Sequence, residues 1–153
     1  MRCPLPRTIQ RMIGISILTF LFTVPHAAED FLHGEPARLG LSDSSMAFVL
    51  AVAYAVQGLA VALSACQKPA GHWLHLAVGL VWGLGAAVIH LPEVLAPGPY
   101  REGLASHALL FALMLSAAAL SVASFLALRQ EGYGVRRAGR DPTVQHHLSR
   151  PGG

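Results

Sequence analysis

Four stretches of the chain are almost unbroken in apolar residues, and short polar segments separate them. They run from about Met12 to Ala28, Met46 to Cys66, Trp73 to His90 and Leu104 to Leu128. A bilayer core about 30 Å thick takes roughly 20 helical residues to cross. The last three stretches fit that length well, and the first only just. The pattern predicts an all-α integral membrane protein with four antiparallel transmembrane helices joined by short loops. Residues 1–128 would form the membrane domain. Residues 129–153, rich in Gly, Pro and Arg and without an apolar period, would form a basic, disordered cytoplasmic tail.

Arg2, Arg7 and Arg11 ahead of a short apolar run also read as a secretory leader. The cleavage site would be poor, because neither Pro25-His26-Ala27 nor His26-Ala27-Ala28 has a small residue at its first position. The first segment is therefore read as a retained helix, with a cleaved leader as the alternative.

Composition supports the lipid environment. Of 153 residues, 54% are hydrophobic and 12% charged, against about 25% charged in a soluble domain. The net charge of +3 does not point to nucleic acid. The basic residues lie between and after apolar runs, not on one face of a polar domain. Nine of them (Arg2, Arg7, Arg11, Lys68, Arg129, Arg136, Arg137, Arg140 and Arg150) fall in segments on one side of the predicted bundle. Only Arg38 and Arg101 fall on the other. Cytoplasmic loops carry the excess of Lys and Arg, so a cell-membrane protein with both termini cytoplasmic is expected. The bilayer is the first partner, and the basic tail is suited to anionic lipid. Two cysteines, Cys3 and Cys66, are too few for a disulfide framework. Leu63-Ser64-Ala65-Cys66 looks like a lipoprotein box, but it lies inside the chain and is read as a chance match.

Gly79, Gly83 and Ala87 form a small-residue stripe, which allows close approach of two helices in lipid. Ser116, Ser121 and Ser124 offer a matching row on the fourth segment. This favours packing within the chain, with a homo-oligomer through Gly79 and Gly83 as the alternative. Gln57, near the middle of the second segment, needs a partner in hydrocarbon. Tyr54 or a neighbouring helix is the expected one. A pathway role for Gln57 in a small transporter subunit is the functional alternative.

The candidate chemistry lies at the predicted outer helix ends. His26, Glu29, Asp30 and His33 end the first helix, His90 and Glu93 the third, and Glu102 and His107 begin the fourth. Positions three, four and seven apart share a helix face, so the first set stacks if the helix persists past Ala28. His90-Leu-Pro-Glu93 repeats the His-x-x-Glu spacing, although Pro92 leaves the direction of Glu93 open. His26, Glu29, Asp30, His90, Glu93 and His107 are the candidate metal ligands. Imidazole with carboxylate suits zinc, iron, manganese or copper, and helical Glu/His pairs build dinuclear sites in four-helix bundles. The functional readings are a metal- or haem-binding membrane protein, extending to an oxidoreductase, or a proton relay. The plain reading is a membrane protein of unassigned activity whose polar residues collect where helices leave the bilayer. His72 and His75 flank the anchor residue Trp73 and read as interfacial. His146 and His147 lie in the tail and are given no role.

At His26-Ala-Ala-Glu29-Asp30 the chain resembles the HXXEE family, small multi-pass membrane proteins named for a His-x-x-Glu-Glu motif near the N-terminus. The resemblance covers this pentapeptide and the layout of a short chain with about four membrane helices. It implies that His26, Glu29 and Asp30 are characteristic positions. Asp30 departs from the motif's second Glu and keeps a carboxylate with a shorter reach.

Overall fold

The computed structural model describes residues 5–97, 100–101 and 103–138, with side chains described as far as residue 130. Among the described residues every regular element is a helix: α1 (Arg7–Leu32), α2 (Glu35–Arg38), α3 (Asp43–Ala65), α4 (Pro69–Leu95) and α5 (Leu104–Ala138). The four long helices are each long and apolar enough to cross a membrane. The result is the architecture of a multi-pass membrane protein. Neighbours in the bundle follow the ring α1, α3, α4, α5, which puts α1 and α4 on a diagonal.

Every helix outruns its apolar segment. α1 continues past Ala28 to Leu32, so His26, Glu29 and Asp30 do share a helical face. α4 continues past Pro92 to Leu95, which fixes Glu93 at helical spacing from His90. A proline near a helix end removes one intrahelical bond, and membrane helices tolerate this when neighbouring groups satisfy the freed carbonyl. α5 extends to Ala138, so residues 129–138, expected in the disordered tail, are helical. Adding residues to an existing helix costs far less than starting one. Residues 139–153, with His146 and His147, lie outside the described residues.

The bundle is apolar outside and mixes polar with apolar side chains inside. On α1 the buried stripe is Ile9, Met12, Ser16, Thr19, Thr23, His26 and Asp30, at alternating spacings of three and four, while Ile17, Phe20, Leu21 and Val24 face outward. Lipid tails give no hydrophobic force between helices. Small and hydrogen-bonding side chains therefore take the interior, where they permit close packing. Thr19 and Thr23 return their hydroxyls to the carbonyls of Ile15 and Phe20 at 3.0 and 3.1 Å. Gln57 ties three helices together. Its Nε2 donates to the Ser16 carbonyl at 2.8 Å, and its Oε1 accepts from the Trp82 indole at 3.1 Å. The partner is thus on neighbouring helices and not Tyr54, and the carboxamide is engaged on both sides.

The connections are tight. The Ser42 side chain caps α3 by accepting from the Ser45 backbone at 3.2 Å. Three residues, 66–68, turn α3 into α4, closed by the Lys68 N–H on the Leu63 carbonyl at 2.9 Å. His72 and His75, in the first two turns of α4, are buried on its inner face, while Trp73 between them is exposed.

The small-residue stripe of α4 packs against α5 within the chain. A Cβ added at Gly79 would meet the Ser121 hydroxyl and come within 2.8 Å of the Ala117 carbonyl. At Gly83 the nearest atom, Ala117 Cβ, would lie at an ordinary 3.5 Å. Gly79→Ala is therefore expected to destabilise the bundle by about 1–3 kcal/mol, the range for overpacking. Gly83→Ala is expected to be close to neutral. Thermal unfolding in detergent, followed by circular dichroism, compares them, and equal melting of the two variants would contradict the close approach.

Candidate functional site

The site forms at the end of the bundle where α1 and α4 finish and α5 begins. The helical register of α1 turns His26 and Asp30 inward, with Glu29 half-buried beside them. Gly34, with φ of 71°, turns the chain into α2, whose first residue, Glu35, is buried. The last turns of α4 deliver His90 and Glu93. Arg101 comes from the loop before α5 and has a left-handed φ of 43°. That backbone costs a non-glycine residue roughly 1–2 kcal/mol, a cost the buried contacts of its side chain offset.

The Arg101 guanidinium is the centre of the cluster, with its side chain 5% exposed. Nη1 donates to Asp30 Oδ1 at 2.8 Å. Nη2 donates to Glu35 Oε2 at 3.3 Å and to His90 Nδ1 at 3.2 Å, and lies 3.8 Å from Glu93 Oε2. The Tyr100 ring lies 5.1 Å from the guanidinium carbon, within cation–π range. Arg38 pairs with Glu35 at 3.2 Å and also with Glu93. Among the described residues, Asp30, Glu35 and Glu93 thus meet two guanidiniums, and Glu29 stands beside His26 as a fourth carboxylate. Two negative charges are in excess when both imidazoles are neutral.

His26 and His90 meet across the bundle diagonal. Their rings touch edge to face, with centroids 4.7 Å apart and planes at 84°. Such contact leaves no slot between them for a planar macrocycle. His26 Nε2 lies 4.0 Å from Asp30 Oδ1, and His90 Nε2 lies 3.6 Å from the same oxygen. His26 Nδ1 faces Glu29 Oε2 at 3.9 Å. Both ring nitrogens of His26 are buried without a hydrogen-bond partner.

Two groups of three have ligand atoms within 4.8 Å of one another: His26, Asp30 and His90, and Glu35, His90 and Glu93. Arg101 Nη2 already lies among the second three, where its charge takes the place of a metal's. It also sets the His90 tautomer. Arginine only donates, so His90 Nδ1 accepts and a neutral ring carries its proton on Nε2, toward Asp30. An ion held by His90 Nε2 would displace that proton and end the donation from Arg101.

Of the six candidate ligands, the structure brings His26, Asp30 and His90 together directly. Glu29 flanks His26 and accepts from the Ser106 hydroxyl at 3.1 Å. Glu93 belongs to the Arg38 and Arg101 pairs. His107 stands apart: its Nδ1 is 2.9 Å from the Gly103 carbonyl, and the Tyr100 ring lies between it and His90. His33 is exposed at the end of α1, and Glu102 lies outside the described residues. Sequence reasoning missed Glu35, Arg38 and Arg101. A signal was present: Arg38 and Arg101 are the two basic residues that break the charge asymmetry of the loops, and each faces acids.

Comparison with protein-family models gives no match, and neither curated proteins nor solved structures supply a similar chain.

Removing the guanidinium would leave Asp30 as an uncompensated buried carboxylate and Glu35 with Arg38 alone. Arg101→Leu is expected to destabilise the protein by about 3–5 kcal/mol, as for one partner of a buried ion pair. Melting within a degree or two of wild type would show that the cluster is not structural. Burial pushes the Tyr100 hydroxyl up to about 12, with nearby carboxylates adding to the rise and Arg101 opposing it. The folded protein therefore holds this proton longer than the unfolded chain, and stability from this group declines as pH rises from about 10 to 12. The difference in phenolate absorbance between wild type and Tyr100→Phe should have its midpoint near the upper value, and a midpoint near 10 would contradict the burial.

Proposed function

We propose that this is a metal-binding cell-membrane protein, with one divalent first-row transition ion held between His26, Asp30 and His90. The observation that carries the reading is the convergence of two imidazoles and a carboxylate within 4.8 Å, with both nitrogens of His26 lacking a hydrogen bond. A tetrahedral ion about 2.1 Å from each ligand sets neighbouring ligand atoms roughly 3.4 Å apart. The separations of 3.6 and 4.0 Å from the Asp30 oxygen lie within about 0.6 Å of that spacing, and the two imidazole nitrogens, within 4.8 Å of each other, would close by up to about 1.4 Å. The two excess negative charges match a divalent ion, and Glu29 stands beside His26 to complete or orient the shell. Kinship with the HXXEE family, resting on residues 26–30, belongs to the same proposal. So does the sidedness, with both termini cytoplasmic and the cluster at the outer face, which rests on the nine-to-two distribution of basic residues.

A second reading follows from Arg101: the cluster is an ion-paired clamp that joins three helix ends and needs no metal. Metal content separates the two. Protein whose intact mass retains residues 1–28 is purified in detergent, dialysed against a weak chelator and analysed for elements. One ion per chain is expected, lost in His26→Ala, Asp30→Asn and His90→Ala. Metal-free wild type after zinc, manganese or iron(II) loading would leave the clamp as the function of these residues. Sidedness has its own check. Cys66 is free and exposed in the turn opposite the cluster. In a Cys3→Ser background, a membrane-impermeant maleimide should label Cys66 only after cells are permeabilised, and labelling of intact cells would reverse the orientation.

A further inference from the structure

Beside the cluster lies a cavity of about 290 Å³ between α1, α3 and α4. That is near the lower end of small-molecule pockets, about 300–1,000 Å³. Its walls are apolar for most of their extent, with Val49 and Leu50 of α3 facing Val81 and Ile89 of α4, and Trp82 and Leu113 behind. Val49 and Val81 are largely exposed, so this side opens on the face the helices turn toward lipid. One end is polar. His26, Asp30 and His90 line it. His26 is 4% exposed and has no hydrogen bond at either ring nitrogen. A polar side chain buried without a partner forgoes about 1–3 kcal/mol, so an apolar chamber ending in such a ring is built to receive a polar head on an apolar chain.

The chemistry of the rim selects the head. Asp30 lines it and Glu29 lies 3.9 Å from His26 Nδ1, while the guanidinium of Arg101 is already held by Asp30, Glu35 and His90. A carboxylate or phosphate head would meet like charge. An ammonium head only donates, whereas a neutral imidazole presents one donor and one acceptor. A hydroxyl supplies both. We propose that the cavity binds a single-chain lipid with a hydroxyl head, the chain between α3 and α4 and the hydroxyl at His26. This goes beyond the metal reading and does not require it, since the hydroxyl addresses the ring in its metal-free form.

Trp82 lines the cavity and reports on it. The test uses full-length Trp73→Phe protein in detergent with chelator, titrated with 11-bromo-1-undecanol, whose bromine quenches indole fluorescence on contact. Saturable quenching is expected. Gly85 also lines the cavity, and a Cβ added there meets nothing within 4 Å. Gly85→Leu thus projects its side chain from an unhindered Cβ into the chamber, and it should weaken the quenching at least about tenfold, or 1.4 kcal/mol. His26→Phe keeps the wall apolar, removes the head's partner and should weaken it in the same direction. The brominated acid and amine of equal length should bind more weakly than the alcohol. Displacement by dodecanol but not by a decyl-chain quinol would assign the site to a simple lipid alcohol, and the reverse to a quinol, and both support a hydroxyl head. Quenching that rises linearly and equally in wild type and Gly85→Leu is partition into the micelle and overturns the proposal, as does tighter binding of the acid or the amine. Because chelator is present throughout, absence of a metal site does not alter these outcomes.

Discussion

One buried cation governs the end of this bundle. Asp30, Glu35 and Glu93 come from three separate helices; Arg101 lies between all three, and Arg38 bridges Glu35 and Glu93 as well. Carboxylates removed from water repel and are individually costly. A planar guanidinium with several donors meets them from one point, which an ammonium on a flexible stem does less well. The arrangement reaches back into the backbone, where Arg101 accepts a left-handed φ to place its side chain. It reaches forward into the histidines as well, because donation to Nδ1 of His90 decides which nitrogen of that ring is protonated. Charge balance, ring orientation and loop conformation at this end are one coupled arrangement.

The rest of the bundle obeys a related constraint. With apolar solvent outside, polarity inside is what distinguishes one helix face from another. Ser16, Thr19 and Thr23 lead along α1 to His26 and Asp30, and Gln57 crosses from α3 to meet Ser16 and Trp82. Thr19 and Thr23 are satisfied locally by carbonyls one turn back, and Ser16 meets the Gln57 carboxamide, which leaves them neutral and compact enough for helices to close. His26 has no such partner at either ring nitrogen. That difference sets the end of the stripe apart from the rest of it.

The helices were legible in the sequence because their signal is collective: some twenty apolar residues in a row admit few other readings in water or lipid. So was the gathering of His26, Asp30 and His90, since topology alone brings alternate helix ends to one depth. The close approach at Gly79 was also readable, because only small residues permit it. What escaped were features fixed by single side chains. Pro92 does not stop α4, and α1 gains a further turn, because bundle contacts outweigh local end signals. His72 and His75 turned out buried, which follows from a rotation that one hydrophobic helix end does not encode. Arg101 was read as a stray loop charge. Its role depends on a partner 71 residues away, and no local pattern carries that distance.

That separation has a consequence for how the protein is made. The chain emerges from the ribosome at about 5–20 residues per second, so Asp30 precedes Arg101 by several seconds. Throughout that interval the acids at the end of α1 lack the Arg101 guanidinium and must remain hydrated. The first helix therefore waits, its acidic end in water or among headgroups, until the α4–α5 hairpin arrives. The loop before α5 is the one that lets the first helix settle.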